Sequence, residues 1–167
     1  LAGCTVGPDY ARPVVDTPAT WRIDYPKAAD VANAKWWEQF PDANIGIATG
    51  PKSGFWVVDV DMKNGVDGLK SLRDRFGSRF EFDLDRHMVG KTATGGIHFL
   101  FQWDPELPVR NAQAVLPGVD IRGDGGQIVV APSVRRIGSE WVAYRWNAAE
   151  RSVSPITPWA RELITAS

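Results

Sequence analysis

The feature that most constrains the fold is the run Phe-Trp-Val-Val-Asp-Val-Asp at residues 55–61. Aromatic and β-branched residues at consecutive positions predict a strand, and this is the strongest strand signal in the chain. Side chains alternate between the two faces of a strand, so Asp59 and Asp61 share one face. Val58 and Val60 point to the other face. The run therefore predicts a strand with two carboxylates on one face and a hydrophobic core against the other.

Weaker patterns elsewhere predict the other elements of a mixed domain. Leu69, Leu72 and Phe76 recur at helical spacing, and Gly77 is suited to end that helix. A second helix is predicted at residues 157–164. The predicted strands are residues 44–49, 55–61, 97–103, 119–121, 127–131 and 141–146. These patterns are typical of α/β and α+β domains.

Residues 1–40 differ from the rest of the chain. Prolines lie at positions 8, 13, 18 and 26, and proline lacks a backbone donor and disfavours helix in the residue before it. The segment therefore predicts an extended arm, followed by a short helix at residues 28–40. We place a domain boundary near Phe40, with an arm at 1–40 and the folded domain at 41–167.

The composition excludes several classes of protein. With 44% hydrophobic and 23% charged residues, the chain is neither a disordered tail nor a collagen-like repeat. Its single cysteine, Cys4, cannot form an internal disulfide. No stretch approaches the ~18 consecutive apolar residues of a membrane-spanning helix. The net charge of −1 argues against coating nucleic acid by bulk charge. It still permits an enzyme that binds a few phosphates through metal ions.

Asp59 and Asp61 are the first candidates for chemistry. Two carboxylates on one face of a strand repel each other unless a cation, a proton or a basic group lies between them. Mg²⁺ and Mn²⁺ prefer hard oxygen ligands, so an Asp-x-Asp strand is suited to holding either ion. The alternative interpretation is a solvated strand end with two ordinary charges.

His98 and Asp120 are further candidates. His98 follows Gly95-Gly96, whose missing side chains would let a phosphate approach the backbone, although an isolated strand histidine is more often structural. Asp120 lies on a strand of buried type, where its charge must be paired or bound to a metal. Arg122 shares its face, so the simpler interpretation is that Arg122 neutralises Asp120.

In combination these residues form a constellation suited to phosphoryl transfer. In two-metal catalysis, carboxylates hold cations ~3.5–4 Å apart, which stabilise the attacking and leaving oxygens of an in-line displacement. A nearby histidine or arginine can bind the triphosphate or stabilise the developing charge.

Five segments also carry a resemblance to a known family. They are Asn-Ile-Gly-Ile-Ala-Thr-Gly at 44–50, Gly-Phe-Trp-Val-Val-Asp-Val-Asp at 54–61, Thr-Ala-Thr-Gly-Gly-Ile-His at 92–98, Gly-Val-Asp-Ile-Arg at 118–122 and Gly-Gly-Gln-Ile-Val-Val-Ala-Pro-Ser at 125–133. In this order and spacing, residues 36–165 resemble the bifunctional DNA primase/polymerase (prim-pol) domain. That family belongs to the archaeo-eukaryotic primase superfamily and is common in plasmids, phages and integrated elements.

The resemblance implies a fold and an activity. The fold is α+β, an RRM-like catalytic core with an associated small β-rich unit, preceded here by the extended proline-rich arm. The activity is template-directed nucleotide addition with Mg²⁺ or Mn²⁺, as primase or DNA polymerase. A 3′-hydroxyl attacks the α-phosphate of the incoming nucleotide, and pyrophosphate leaves.

The resemblance also implies roles for particular residues. Asp59 and Asp61 match the family's first metal-binding motif, and Asp120 matches its third acidic motif. These three are therefore the expected catalytic residues and the ligands of a two-metal site. His98 matches the histidine that contacts the phosphates of the incoming nucleotide. The expected nucleotide-binding residues are His98, Arg122 and Ser133.

The start of the chain departs from the prim-pol pattern. Such domains normally begin with a helix and a strand containing a proline-and-lysine segment, which is not recognisable here. Residues 1–13 and 21–25 instead resemble the mature start of outer-membrane efflux lipoproteins, in which Cys4 would be acylated. The hypothesis is a fusion or chimera joined within residues 36–42, and the alternative is a divergent prim-pol N-terminus. No signal peptide precedes Cys4, so we expect a cytoplasmic protein, without membrane association unless the arm is lipidated.

The resemblance implies DNA template and primer and nucleoside triphosphates as partners. Prim-pol domains often precede a helicase, and no Walker-type motif occurs here, so a helicase is expected in trans or in a missing C-terminal region. Two alternatives to an active primase/polymerase stay open. One is a non-catalytic nucleotide- or DNA-binding remnant of the domain, and the other is an envelope lipoprotein fragment.

Overall fold

The computed structural model of the protein describes residues 43–81, 84, 88–147 and 152–166. The predicted arm at 1–40, its helix at 28–40 and the proposed join at 36–42 lie outside these residues.

The described residues form a mixed structure with mostly antiparallel sheets. The strands are β1 (Ile45–Ala48), β2 (Phe55–Val60), β3 (Val89–Lys91), β4 (Ile97–Gln102), β5 (Ala112–Leu116), β6 (Val119–Arg122), β7 (Gln127–Val130), β8 (Val134–Ile137), β9 (Glu140–Ala143) and β10 (Arg145–Trp146). The described helices are α1 (Gly68–Phe76) and α2 (Pro158–Thr165). The predicted α+β class is consistent with this arrangement.

The main sheet has six antiparallel strands in the order β10-β3-β4-β2-β6-β5. Strand β2 lies inside it, hydrogen-bonded to β4 on one side and β6 on the other. Its interior position follows from its sequence, since Val57, Val58 and Val60 are fully buried and together cover both faces. Two smaller units accompany this sheet, the antiparallel pair β1-β7 and the hairpin β8-β9.

One face of the main sheet is covered by both helices. Val58, Val60 and Phe99 on this face belong to the same core cluster as residues of α1 and α2. The indole of Trp159 in α2 lies at the centre of an aromatic group, 5.4 Å from the ring of Phe99. Burying each of these large side chains stabilises the fold by about 1.5–3 kcal/mol. This face is therefore a packed core.

Helix α1 ends where its sequence predicts, and a side-chain cap fixes its start. The side chain of Asp67 caps the N-terminus by accepting a hydrogen bond from the backbone N–H of Lys70, at 2.8 Å. Leu72 and Phe76 are buried. Gly77 ends the helix with a φ of 64°, a left-handed conformation that glycine adopts without strain.

The other face of the sheet is covered in part by β1 and β7. Val57 of β2 and Leu100 of β4 pack there against Ile128 and Val130 of β7. Alternation along the strands places Asp59 and His98 on this same face. Asp59 is two residues after Val57 on β2, and His98 is two residues before Leu100 on β4. The second face therefore changes from apolar to polar at the end of β2.

Most of the predicted elements are confirmed, but three strands were missed. These are β3, β5 and β8. Strand β3 has only three residues, one of them Gly90, and β8 is exposed and carries two arginines, so neither has a hydrophobic pattern. Strand β5 is interrupted by a register shift against β6. The strand predicted at 141–146 is divided at Tyr144 into β9 and β10.

Candidate active site

Three of the predicted residues form a row across the centre of the main sheet. Asp59 on β2 lies directly opposite His98 on β4 and directly opposite Asp120 on β6. Directly opposed residues have Cβ atoms about 4.5–5.5 Å apart, so their side chains meet on one face. The antiparallel pairing thus brings together side chains that are widely separated in the sequence.

Asp59 is the centre of this row and is held from both sides. Its Oδ1 lies 3.4 Å from Nε2 of His98. Its Oδ2 accepts hydrogen bonds from Nη2 of Arg122 at 3.0 Å and from Nε at 3.2 Å. The side chain of Asp59 is only 14% exposed, so these contacts replace most of its water.

The surroundings of Asp59 shift its pKa. Burial by itself raises the pKa, whereas the hydrogen bond and charge of His98, followed by those of Arg122, lower it. The result is a pKa below the ordinary value for aspartate. Asp59 is therefore a carboxylate at neutral pH.

Asp120 is fixed by two hydrogen bonds. Its Oδ2 lies 2.8 Å from the same Nη2 of Arg122 that contacts Asp59, and its Oδ1 accepts from the backbone N–H of Ala114 at 2.8 Å. Ala114 has a φ of 52° within the irregular part of β5. Because both carboxylates contact one nitrogen, their Oδ2 atoms lie within about 6 Å of each other. Arg122 is thus paired with Asp120, as the simpler interpretation held, and with Asp59 as well.

Asp61 follows the last residue of β2 and has its own cation. Its Oδ1 lies 2.8 Å from Nζ of Lys63. The two side chains are 25% and 42% exposed, so the pair is open to solvent and contributes little to stability.

Asp59 and Asp61 line one cavity of about 170 Å³. Both residues therefore contribute to the same cavity, as side chains on one face would. The other lining residues are Lys63, Thr92, Thr94, His98, Arg122, Gln127, Ile128, Val129, Arg135 and Tyr144. Three basic side chains, those of Lys63, Arg122 and Arg135, thus face two carboxylates. Together with the hydroxyl and amide groups they offer donors that suit a polyanionic ligand.

The glycines before His98 have a structural role. A Cβ at Gly96 would lie 2.4 Å from the carbonyl oxygen of Val60. Glycine is therefore required at 96 so that the turn after β3 can approach the end of β2. Gly95 has a φ of 86° and takes part in the turn at residues 92–95. Val60 thus fills the space beside Gly96, whereas a Cβ at Gly95 would meet nothing within 4 Å, so an opening for a phosphate at Gly95 stays a prediction.

Ser133 is placed apart from the cavity lining. It is buried, and its Oγ accepts a hydrogen bond from the backbone N–H of Ile45 at 2.7 Å. This contact connects β1 to the residue before β8. A role for Ser133 in nucleotide binding stays a prediction.

The acidic residues fit a metal ion only in part. Within residues 43–81, 84, 88–147 and 152–166, no group of three or more His, Cys, Asp or Glu side chains is arranged to hold a metal ion. Asp59 and Asp61 offer hard oxygen donors to one cavity, as Mg²⁺ or Mn²⁺ prefers. Asp120 is opposite Asp59, but Arg122 lies between them. A site formed by Asp59 and Asp61 therefore fits the donor chemistry better than one that includes all three.

Several cavity residues were not assigned roles from the sequence. These are Lys63, Thr92, Thr94, Gln127, Arg135 and Tyr144. Thr92, Thr94 and Gln127 lie within segments that carried the resemblance, so their positions in those segments were the available signal. Arg135 had none, because β8 is exposed and its pattern is not that of a buried strand.

The comparison with protein families agrees with this site. The model of the Prim-Pol family, described as the N-terminal domain of bifunctional DNA primase/polymerases, matches residues 7–159. The chain therefore belongs to the Prim-Pol family. No curated protein matches the chain significantly. Among the described residues, no helix combines the length and the apolar character needed to cross a membrane.

The match extends further towards the N-terminus than residue 36, where the resemblance was placed. It begins at residue 7 and so includes most of the predicted arm. A match of this extent is expected if residues 1–40 are a divergent prim-pol N-terminus. The fusion with a lipoprotein start stays a hypothesis.

Proposed function

We propose that this domain is a metal-dependent nucleotidyltransferase that adds nucleotides to DNA on a template. Membership of the Prim-Pol family supports a primase or polymerase class of activity. The observation that carries the proposal is the shared cavity, in which Asp59 and Asp61 face Lys63, Arg122 and Arg135. Carboxylates for a metal and cations for phosphates are thus within one small volume.

The charges of the cavity favour a nucleoside triphosphate as the ligand. Lys63 and Arg122 are now paired with Asp61 and Asp59, whereas Arg135 contributes a further positive charge to the lining. A triphosphate can accept charge-assisted hydrogen bonds from all three cations. The hydroxyl groups of Thr92 and Thr94 and the imidazole of His98 add further hydrogen-bonding groups to the same walls.

The proposed metal ligands are Asp59 and Asp61, with Asp120 as the predicted third carboxylate. When bound, Mg²⁺ or Mn²⁺ would stabilise the attacking and leaving oxygens of the displacement. Asp59 is ionised at neutral pH because its pKa is lowered, so it needs no proton loss before it can coordinate a cation. Coordination by Asp120 requires Arg122 to leave the space between the two carboxylates.

The residues of the chain would bind and orient the reactants. Arg122, Lys63 and His98 would hold the phosphate oxygens of the incoming nucleotide. The 3′-hydroxyl oxygen of the primer would then form a bond to the α-phosphorus, and the bond from that phosphorus to the bridging oxygen of the β-phosphate would break. The hydroxyl proton would pass to solvent, and pyrophosphate would leave with the broken bond's electron pair.

We also propose that the core is RRM-like. Strands β3-β4-β2-β6 are adjacent in that order, and the helices pack on one face, as in ferredoxin-like units. The difference is that α2 follows all the strands, whereas residues 103–118, between β4 and β6, contain β5 and no helix.

A non-catalytic nucleotide-binding domain is the second candidate. The observation that favours it is the position of Arg122, which occupies the space between Asp59 and Asp120 that a metal pair would need. The two candidates differ in turnover and share nucleotide binding.

Primer extension separates the candidates. The full chain is incubated with primed DNA, deoxynucleotides and Mn²⁺, and Asp59→Asn is compared with Asp74→Asn, which removes an exposed carboxylate on α1. The proposal predicts extension by the wild type and by Asp74→Asn, and a loss of roughly a hundredfold or more in Asp59→Asn. Nucleotide binding without extension by the wild type favours the non-catalytic candidate. Extension that survives replacement of both Asp59 and Asp61 contradicts the proposed mechanism.

A further inference from the structure

The row of opposed residues at the candidate site continues across two further strands. Gly90 on β3 lies directly opposite His98 on β4, and Trp146 on β10 lies directly opposite Gly90. Directly opposed residues share one face of an antiparallel sheet, so Trp146 lies on the same face as His98 and Asp59. The row therefore runs over the adjacent strands β10-β3-β4-β2-β6, from Trp146 at one end to Asp120 at the other.

Gly90 leaves a space that two aromatic side chains border. A Cβ at position 90 would lie 3.2 Å from Cζ3 of Trp146 and 3.5 Å from Nδ1 of His98. The indole and the imidazole thus approach the same small volume above the strand. An aromatic side chain that covers a cross-strand glycine supplies the contacts that glycine lacks. Trp146 therefore takes the place beside His98 that a side chain at position 90 would fill.

Trp146 is itself held in place on this face. Its half-buried side chain packs against the core cluster that contains Val57 and Leu100. The next residue, Asn147, fixes the end of β10 to β3. Its backbone N–H donates to the carbonyl oxygen of Val89 at 3.0 Å, and its Oδ1 accepts from the N–H of Val89 at 2.9 Å. The indole is therefore a fixed part of the sheet, suited to limiting the movement of a neighbouring side chain.

His98 is confined between Asp59 and Trp146. Its side chain is 7% exposed, and its Nε2 lies 3.4 Å from Oδ1 of Asp59. Its Nδ1 borders the space above Gly90, where the indole lies. Rotation of the imidazole towards β3 would bring it against the indole. Among the described residues that line the cavity of Asp59, His98 is included and Trp146 is not, so Trp146 can influence a ligand there only through His98.

We propose that Trp146 is a positioning residue, whose indole over Gly90 holds the imidazole of His98 against Asp59 and towards the nucleotide cavity. Its effect on nucleotide binding rests on the proposed function, in which His98 contacts the phosphates. The orientation of the imidazole is a property of the free protein and does not depend on that function. A side chain that contacts a ligand needs neighbours that fix its rotamer, because a small displacement weakens the contact.

The orientation of His98 is measured by NMR on the full chain without metal or nucleotide. The chain has two histidines, so a long-range proton–nitrogen correlation spectrum contains few imidazole signals, and His98→Ala identifies those of His98. The nitrogen shifts report the tautomer and hydrogen bonding of the ring. They change in Trp146→Ala and in Gly90→Ala, whose added methyl group enters the space that both rings border. Trp146→Phe, which keeps an aromatic ring, stays close to the wild type. Unchanged shifts in both Trp146→Ala and Gly90→Ala overturn the proposal.

A double-mutant cycle shows whether Trp146 acts through His98. Binding of dTTP with Mn²⁺ is measured by titration calorimetry, and Trp146→Ala weakens it about three- to tenfold. In the His98→Ala background the same substitution has no further effect, because the ring that it positions is absent. Equal weakening in both backgrounds indicates a general structural role and overturns the proposal. The control Trp141→Ala removes a 68% exposed indole from the hairpin β8-β9, outside the main sheet, and leaves binding within about twofold of the wild type.

These readouts separate the positioning role from the proposed function. Thermal unfolding first confirms that each variant is folded, and Gly90→Ala takes the place of Trp146→Ala in the cycle if the latter does not fold. Normal dTTP binding by His98→Ala contradicts the proposed contact of His98 with phosphates, and the NMR result then decides alone whether Trp146 orients the ring. Failure of Asp59→Asn to alter primer extension contradicts the catalytic proposal and leaves the positioning role standing.

Discussion

Nη2 of Arg122 lies 3.0 Å from Oδ2 of Asp59 and 2.8 Å from Oδ2 of Asp120. One guanidinium thus pairs with two carboxylates that face each other across β2 and β6. All three side chains are largely shielded, with 14–26% of their surface exposed. The structure of the candidate site therefore depends on Arg122 when no other cation is bound.

Removing this guanidinium should destabilise the fold. Arg122→Gln leaves two facing carboxylates without their cation, so we expect the free energy of unfolding to fall by about 2–4 kcal/mol, measured by urea denaturation. Arg73→Gln, which removes an exposed ion pair with Glu81, should cost at most about 1 kcal/mol. A loss in Arg122→Gln no larger than in that control contradicts the assigned role. Mn²⁺ should recover part of the loss if the carboxylates bind it.

Stability should depend on pH through Asp59. Its pKa is lowered in the folded protein by His98 and Arg122 against the effect of burial, so the unfolded chain binds more protons between the two pKa values. The stabilising contribution is complete above the unfolded pKa of about 3.9 and is lost as the pH falls through the folded value. Asp59→Asn should therefore flatten the loss of stability below about pH 4 relative to Asp74→Asn. Identical acid unfolding curves for the two variants would contradict this origin of the shift.

Replacing Ser133 should lower the stability of the fold and leave nucleotide binding unchanged. Ser133→Ala leaves the backbone N–H of Ile45 without its acceptor, which should cost about 1–3 kcal/mol of unfolding free energy. Because Ser133 is outside the lining of the nucleotide cavity, the folded variant should bind dTTP as the wild type does. Normal stability together with weakened dTTP binding would instead support the role that the family resemblance implies.

Gly96 should not tolerate a side chain. An added Cβ would lie 2.4 Å from the carbonyl oxygen of Val60, an atom of the backbone that cannot move without shifting β2. Gly96→Ala should therefore lower the free energy of unfolding by about 1–3 kcal/mol. Gly46→Ala is the matched control, since its nearest neighbour would be a carbonyl oxygen 4.0 Å away. Equal stability of the two variants would show that the close approach is not required.

The sequence predicts which side chains of the site share a face of their strand, but not which strands pair with each other. Alternation correctly placed Asp59 on the face opposite Val58, and Arg122 on the same face as Asp120. It could not place Asp59 between His98 and Asp120, because strand order and register depend on contacts between distant segments. For the same reason the sharing of Arg122 by two carboxylates was not foreseen.

The features that were missed depend on tertiary context. Gly96 looked like an opening for a ligand because glycine is compatible with both a close ligand and a close strand, and only the position of Val60 distinguishes them. Arg135 lies on an exposed hairpin strand with no hydrophobic alternation, so no local pattern marks it as part of the cavity. Its place is set by the packing of the hairpin beside Lys63 and Thr94.

The most direct test of the central claim is templated insertion of a single nucleotide. The full chain with Mn²⁺ is given a labelled primer on four templates that differ in the first unpaired base, with each deoxynucleotide in turn. We expect the wild type to insert the complementary nucleotide preferentially. Insertion should fall at least about a hundredfold in the Asp59→Asn, Asp61→Asn double variant. Insertion that is independent of the template base, or that is undiminished in the double variant, would contradict the proposed mechanism.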